Sequence, residues 1–304
     1  MSVTVVGSIA FDAVSTPFGE RERMLGGAAT HFALAASFFD DVRVVGPVGD
    51  DFGDAELAVL ATRGTDVADV ERVAGGKTFF WKGAYGRDLN SRETLETQLN
   101  VFEQFEPKLS AASRASDVLF LANIQPELQL QVLEQMGEAR FVALDSMNLW
   151  IDIARDALLD VIGRVTCVIL NDAELRQLTG KPNVVSAARE VLRYGPSAVV
   201  AKQGEYGAVL MTEDDYVALP AYPLETVVDP TGAGDTFAGG FVGYLARHGF
   251  EPGTLRQAMA YGTALASFNV EAFGTERVTR LTQVEVDARV AELERITQLK
   301  QAVA

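Results

Sequence analysis

The stretch Asp229-Pro230-Thr231-Gly232-Ala233-Gly234-Asp235-Thr236-Phe237-Ala238-Gly239-Gly240-Phe241 decides the reading of this chain. A loop of small residues runs directly into an apolar helix, with a carboxylate at the junction. Gly232, Ala233 and Gly234 let the backbone turn sharply and approach a ligand closely. Free N–H groups at the start of the helix face an anion there, with the helix dipole behind them. Asp235 does not suit passive anion binding, because its charge repels a phosphate. A carboxylate beside an anion hole suits a base acting on a hydroxyl nucleophile. The loop therefore implies phosphoryl transfer to an alcohol.

The rest of the chain bounds that reading. Its 304 residues are enough for one large α/β core. Hydrophobic residues at 48% and charged residues at 22% describe a globular protein. A net charge of −16 argues against a nucleic-acid track or an anionic membrane surface as partner. It leaves an anionic substrate open, because local donors override the overall field. Cys167 is the sole cysteine, so no intrachain disulfide forms, and its apolar setting makes it a buried thiol. With His31 and His248 as the only histidines, a His-rich zinc site is not expected. Met1 to Val6 reads as a strand and not as a signal peptide, and no apolar run spans a bilayer, so the expected location is cytoplasmic.

Short apolar runs alternate with helical ones. Strands are expected at Val3 to Ile9, Val42 to Val48, Val118 to Ala122, Arg140 to Asp145, Val165 to Leu170, Ala198 to Lys202 and Ala208 to Met211. Helices are expected at Ala28 to Phe39, Asp54 to Arg63, Pro126 to Met136, Ala173 to Thr179, Val185 to Tyr194, Gly234 to His248, Pro252 to Asn269 and Val284 to Leu299. This rhythm predicts a three-layer α/β/α domain with a mostly parallel central sheet. Two segments break it, about 13–25 and 78–105. Phe79, Trp81 and Gly83 share one strand parity there, and Phe80, Lys82 and Ala84 the other. They read as a small β lid over the carboxyl ends of the main strands, with a surface hairpin as the alternative.

Several spaced motifs together make the chain resemble the ribokinase-type sugar and nucleoside kinases, the PfkB family. Asp229 to Asp235 is similar to that family's C-terminal signature. Gly7-Ser8-Ile9-Ala10-Phe11-Asp12, then Gly26-Gly27, then Gly46 to Gly53 match its N-terminal pattern in the same order. The resemblance spans nearly the whole length and implies one ribokinase-like kinase domain over 1–304. It implies that Asp235 is the base and that Gly232, Ala233 and Gly234 form the anion hole for the transferring group. Asp12, placed by the pattern at the end of the first strand, would hold substrate hydroxyls, and Gly26 and Gly27 would let backbone pass close to the sugar. Where the family often has Asn, this chain has His31, either a substrate contact or a buried structural histidine.

Asn171-Asp172-Ala173-Glu174 resembles the family's Asn-x-x-Glu motif. Asn171 would lie near the nucleotide phosphates and Glu174 would orient waters around Mg²⁺. A helix N-terminus alone would look the same. Lys202 to Gly207 is similar to the nucleotide loop: Gly204 and Gly207 would admit ATP, and Lys202 would reach its phosphates. Gly-x-x-Gly between strands also serves as a plain turn. Asp229, Thr231 and Gly274 match positions that bind a monovalent cation, such as K⁺, in some relatives.

Phe79, Trp81 and Tyr85 would wall a nucleobase, with Trp81 as a substrate contact. The run Thr16-Pro17-Phe18-Gly19, followed by Leu25-Gly26-Gly27 and Ala33 to Phe39, looks like a bacterial branch assigned to nucleoside or unspecified sugar kinases. The expected substrate is a ribonucleoside, phosphorylated by ATP at its 5′-hydroxyl. The alternative is a sugar or sugar acid of the ribose, fructose or ketodeoxygluconate type. A dehydrogenase is disfavoured because Gly7 to Asp12 lacks Gly-x-Gly-x-x-Gly. A non-catalytic nucleotide-binding protein would not need Asp235. Exposed lid edges offer unpaired backbone groups, so a monomer and a lid-mediated homodimer both stand open.

Overall fold

A strand buried on both faces must be apolar along its whole length, and the central runs of this chain are. In the computed structural model, which describes residues 1–298, they form the middle of a nine-stranded sheet. The strands of the molecule are β1 (Ser2–Val6), β2 (Ala10–Thr16), β3 (Gly19–Gly26), β4 (Asp41–Val48), β5 (Val70–Arg72), β6 (Phe79–Tyr85), β7 (Arg92–Gln98), β8 (Val118–Leu121), β9 (Phe141–Leu144), β10 (Cys167–Asn171), β11 (Ala198–Lys202), β12 (Ala208–Met211) and β13 (Tyr216–Leu219). The large sheet has the order β13-β12-β11-β10-β9-β8-β1-β4-β5. It is parallel except where β12 pairs antiparallel with both β11 and β13 at one edge.

Helices cover both faces, as the alternating pattern requires. Helices Ala28–Ala36, Ala233–His248 and Pro252–Asn269 cover one face through Phe32, Phe241 and Leu255. Helices Pro126–Gln135, Arg155–Ile162, Asp172–Thr179 and Val184–Leu192 cover the other through Val132, Leu158, Leu175 and Ala187. The expected C-terminal helix runs Gln283–Thr297, and Leu299 lies outside the described residues. No described helix is long and apolar enough to cross a membrane.

The remaining strands form a second sheet, β3-β2-β6-β7, drawn from Ala10–Gly26 and Phe79–Gln98. Here the structure corrects the reading of the N-terminus. Val3 to Ile9 is not one strand: pairing with β4 and β8 ends at Val6. The chain then leaves the large sheet, and β2 pairs with β3 and β6 instead. Asp12 therefore belongs to the lid and not to the end of a core strand. The lid still hangs over the right place. Strand order runs outward in opposite directions from β1 and β8, and ligands of open α/β sheets bind in the crevice at such a switch point.

Candidate active site

The carboxyl ends of β9, β10 and β11 and the lid face the loop before helix Ala233–His248 through Asp145, Glu174, Lys202 and Asp12. Gly232 caps that helix with φ +74, a left-handed conformation that suits glycine. A β-carbon at Gly232 would also overlap the His31 ring, so the ring lies flat beneath the loop. Asp235 follows in the first helical turn. Protein surrounds its carboxyl closely, and that burial, with the nearby charge of Asp145, pushes it up to about 7, while Lys202 and Arg92 pull it down.

Buried polar side chains pin the loop from below. Asn269, fully buried, donates from Nδ2 to the Thr231 carbonyl at 2.8 Å and accepts at Oδ1 from the Thr236 hydroxyl at 3.1 Å. The same oxygen lies 3.1 Å from His31 Nδ1. An amide oxygen cannot donate, so this assigns the proton to Nδ1. Burial holds His31 down at about 4, hence neutral, and Nε2 is a buried acceptor without a partner among the described residues. Asp229, also fully buried, accepts from the Thr231 N–H and the Gly274 N–H, each at 2.9 Å. It thereby brings together the three residues expected at a monovalent-cation site.

The expected acceptor side centres on Asp12, 5% exposed. Gly26 passes so close that a β-carbon there would strike the Asp12 carboxylate, and Gly27 N–H stabilises that carboxylate. Burial, then the charges of Asp229 and Asp235, raise Asp12 to about 7. The glycine pair thus serves Asp12 directly. Trp81 pairs in register with Asp12 on the adjacent strand, and its ring tip lies over Gly83. The Arg92 guanidinium stands 5.4 Å from the Trp81 ring centroid, and its charge acts on Asp12, Glu174 and Asp235. Phe79 departs from the expected aromatic wall. It packs against Phe102, centroids 5.9 Å apart, because β6 enters the lid past that residue.

Across the loop lies the expected nucleotide side. Lys202 ends β11 with Nζ 2.7 Å from Asp145 Oδ2. Burial opposes its charge, but Asp145, Glu174 and Asp235 outweigh that and keep it charged. Asn171 Oδ1 accepts from the Glu174 N–H at 2.8 Å, and Glu174 Oε2 accepts from the Asn171 N–H at 2.8 Å, a capping box. The motif is therefore a true helix start that also brings Glu174 to the cleft, where burial and Asp145 push it up to about 7 against the pull of Lys202. Its other oxygen is free of the cap. One half-buried carboxylate fits a magnesium ion held through water. Among the described residues no cluster of three His, Cys, Asp or Glu would cage a metal directly.

Gly204 has φ +56 and lies under Asn90 of the lid hairpin. Gly207 answers to a different neighbour than expected. A side chain there would strike the chain leaving β13 at Leu219 to Ala221, so its glycine serves that packing. Three participants escaped the sequence reading. Asp145 carried a usable signal, a carboxylate just past a parallel strand. Arg92 and Asn269 carried none, since each meets the site only through the fold.

Comparison with known proteins supplies the family. Residues 2–280 match the model of the pfkB family carbohydrate kinases. The chain belongs to the pfkB family of carbohydrate kinases. Like the named kinases of that family, it is a phosphotransferase with an alcohol as acceptor. A cytidine kinase of Thermococcus kodakarensis is 31% identical over 254 residues, covering 81% of this chain and 89% of the relative. A fructokinase of Klebsiella pneumoniae is 28% identical over 283 residues, covering 87% of this chain and 90% of the relative. The crystal structure of the Methanocaldococcus jannaschii nucleoside kinase, an archaeal member of the ribokinase family, superposes with a TM-score of 0.78 at 20% identity, covering 96% of this chain and 98% of that one. This pfkB kinase thus has relatives that act on nucleosides and relatives that act on sugars.

Proposed function

We propose that this pfkB kinase transfers the γ-phosphate of ATP to the 5′-hydroxyl of a ribonucleoside. The observation that supports the reaction most is the facing pair of Asp12 and Asp235, close enough for the ionisation of one to raise the other, with the Gly232 to Gly234 loop between helix and cleft. Asp12 orients the acceptor by taking hydrogen bonds from its hydroxyls. Asp235 accepts the proton of the attacking hydroxyl. The backbone N–H groups of Gly232, Ala233 and Gly234 stabilise charge on the transferring group. Asn171, Lys202 and Gly204 belong to the nucleotide side, and Gly207 shapes the turn beside them through its packing on Leu219 to Ala221. Glu174 is the carboxylate that would reach the water shell of Mg²⁺ brought with the nucleotide, and that ion would supply positive charge to the phosphate oxygens. Asp229 has two backbone donors and no cationic side chain bonded to it among the described residues, which suits K⁺ as an activator.

The nucleoside preference is supported by Trp81, which shares the lid face with Asp12 and offers a flat surface to a base. A sugar or sugar acid is the second reading, favoured by Arg92 beside that ring, since a guanidinium suits a carboxylate. One coupled assay decides between them. Turnover with ribonucleosides is expected, and turnover with sugars or sugar acids alone overturns the assignment. Asp235→Asn is expected to bind an ATP analogue normally and to lose about 10² to 10⁴ in kcat. Near-normal turnover would sink Asp235 as base. Titrating K⁺ at fixed Mg²⁺ tests Asp229, and an unchanged rate removes the cation from the mechanism.

A further inference from the structure

The Asp145–Lys202 pair has a geometry that nucleotide binding alone does not explain. Asp145 is held rigidly: its N–H donates to the Leu121 carbonyl at 2.9 Å, and its own carbonyl accepts from Gln129 Nε2 at 3.1 Å. Its Oδ1 accepts from the Ser146 N–H at 2.8 Å, which leaves Oδ2 to Lys202. The pair is largely closed to solvent, with the lysine side chain 16% exposed and the aspartate 5%. An ammonium carries three donors, and among the described residues Nζ uses one, on Asp145. The missing β-carbon of Gly234 would stand 3.0 Å from Nζ, so the ammonium lies against the backbone of the anion loop. The charges of Asp235 and Glu174 also act on Lys202.

We propose that Lys202 is the counterion of the transferring phosphoryl group, held in the anion hole by Asp145 as its positioning residue. This rests on the phosphoryl-transfer reading and is independent of which alcohol accepts. During transfer the acceptor oxygen bonds to the γ-phosphorus while the bond from that phosphorus to the bridging oxygen breaks. ADP leaves with that electron pair, and the acceptor proton passes to a carboxylate of the site. Negative charge on the equatorial oxygens is the quantity to be stabilised. Lys202 adds a full positive charge where the loop offers only N–H dipoles. Asp145 keeps that charge from collapsing onto Asp235, where it would mask the base.

Three variants separate this role from a structural ion pair: Lys202→Met, Asp145→Asn, and the two combined. Each is assayed for kcat with whichever alcohol the wild-type protein phosphorylates fastest, and for equilibrium binding of a non-hydrolysable ATP analogue. Lys202→Met is expected to lower kcat about 10²- to 10³-fold, with analogue affinity reduced far less. The double variant removes both members of the ion pair, so neither is left facing an empty partner, and it is expected to be as slow as Lys202→Met. A double variant with kcat close to wild type shows the pair to be structural and overturns the proposal. So does a Lys202→Met protein that loses nucleotide affinity while keeping kcat. The acceptor is chosen by assay, so a wrong nucleoside assignment leaves the test intact. An error in the Asp235 assignment shows only in Asp235→Asn.

Discussion

The hydroxyl of Thr231 donates to the hydroxyl of Tyr85 at 3.1 Å, joining the last residue of lid strand β6 to the anion loop. A second bridge lies farther along the same hairpin, where Asn90 Nδ2 donates to Glu205 Oε1 at 2.9 Å. The lid segment proposed to wall the acceptor therefore also touches the Thr231 loop and the Gly204–Tyr206 turn proposed to face the nucleotide. Tyr85→Phe keeps the ring and removes one hydrogen bond, worth about 1 kcal/mol. A fall in kcat of roughly fivefold to tenfold is expected, with the melting temperature little changed. Wild-type kcat in Tyr85→Phe would mean that this contact does not transmit lid position to the loop.

Asp235 must be ionised to accept a proton, and burial with Asp145 holds it near 7. The pH profile of kcat/KM is thus expected to fall on the acid side with a midpoint close to neutrality, because that ratio reports the free enzyme. The charged groups facing Asp235 are Asp145 beyond β9, Lys202 on β11, Arg92 on β7 and Asp12 on β2. Asp145 is the carboxylate among them that raises Asp235 most. Asp145→Asn is accordingly expected to move the acid limb to lower pH. A limb that stays in place, measured across pH 5 to 9, would show that another group controls it.

The core sheet and the loop at Asp229 to Asp235 were legible in the sequence because both are local signals. Buried parallel strands are apolar runs, and the loop puts its chemistry within seven residues. What was not legible depends on distant partners. Val3 to Ile9 looks like one strand, yet β2 leaves the large sheet to pair with β6, nearly seventy residues on. That switch moved Asp12 from the core to the lid. Asn269 holds Thr231, Thr236 and His31 together, though nothing near it in sequence distinguishes it from any helix end. His31 was readable as a departure from the family pattern. That its ring underlies Gly232 was not, because the overlap exists only after helices Ala28–Ala36 and Ala233–His248 pack.

That overlap makes Gly232→Ala a severe change at a small site. The left-handed backbone alone costs a non-glycine residue about 1–2 kcal/mol, and the new methyl meets the His31 ring. His31 cannot yield freely, since its Nδ1 is bonded to Asn269. The loop is expected to shift, lowering kcat about 100-fold or more, as a misplacement near 1 Å does. The melting temperature should fall as well. His31→Ala combined with Gly232→Ala relieves the overlap and should recover part of the melting temperature. Equal melting temperatures for the single and double variants would show that the ring does not support the loop.

Asp12 makes the ligand-free protein's stability depend on pH in a direction unusual for a carboxylate. Its folded pKa is raised from 3.8 to about 7, by burial first and then by Asp229 and Asp235. The folded state therefore holds the Asp12 proton more tightly than the unfolded chain does. The resulting stabilisation is fully present below about 4 and is lost as pH rises through about 7, by at most ~1.4 kcal/mol per pH unit for one group. Asp12→Asn cannot ionise and lacks this dependence. The wild-type melting temperature is thus expected to gain on that of Asp12→Asn as pH is lowered from 8 to 5. Groups remote from Asp12 are common to both proteins and cancel to first order in the difference. Asp235 is coupled to Asp12, and losing that neighbouring charge in Asp12→Asn loosens its proton, which adds to the same trend. A difference that is flat over this range, or that shrinks on acidification, would mean that the Asp12 carboxylate is ionised in the folded protein throughout.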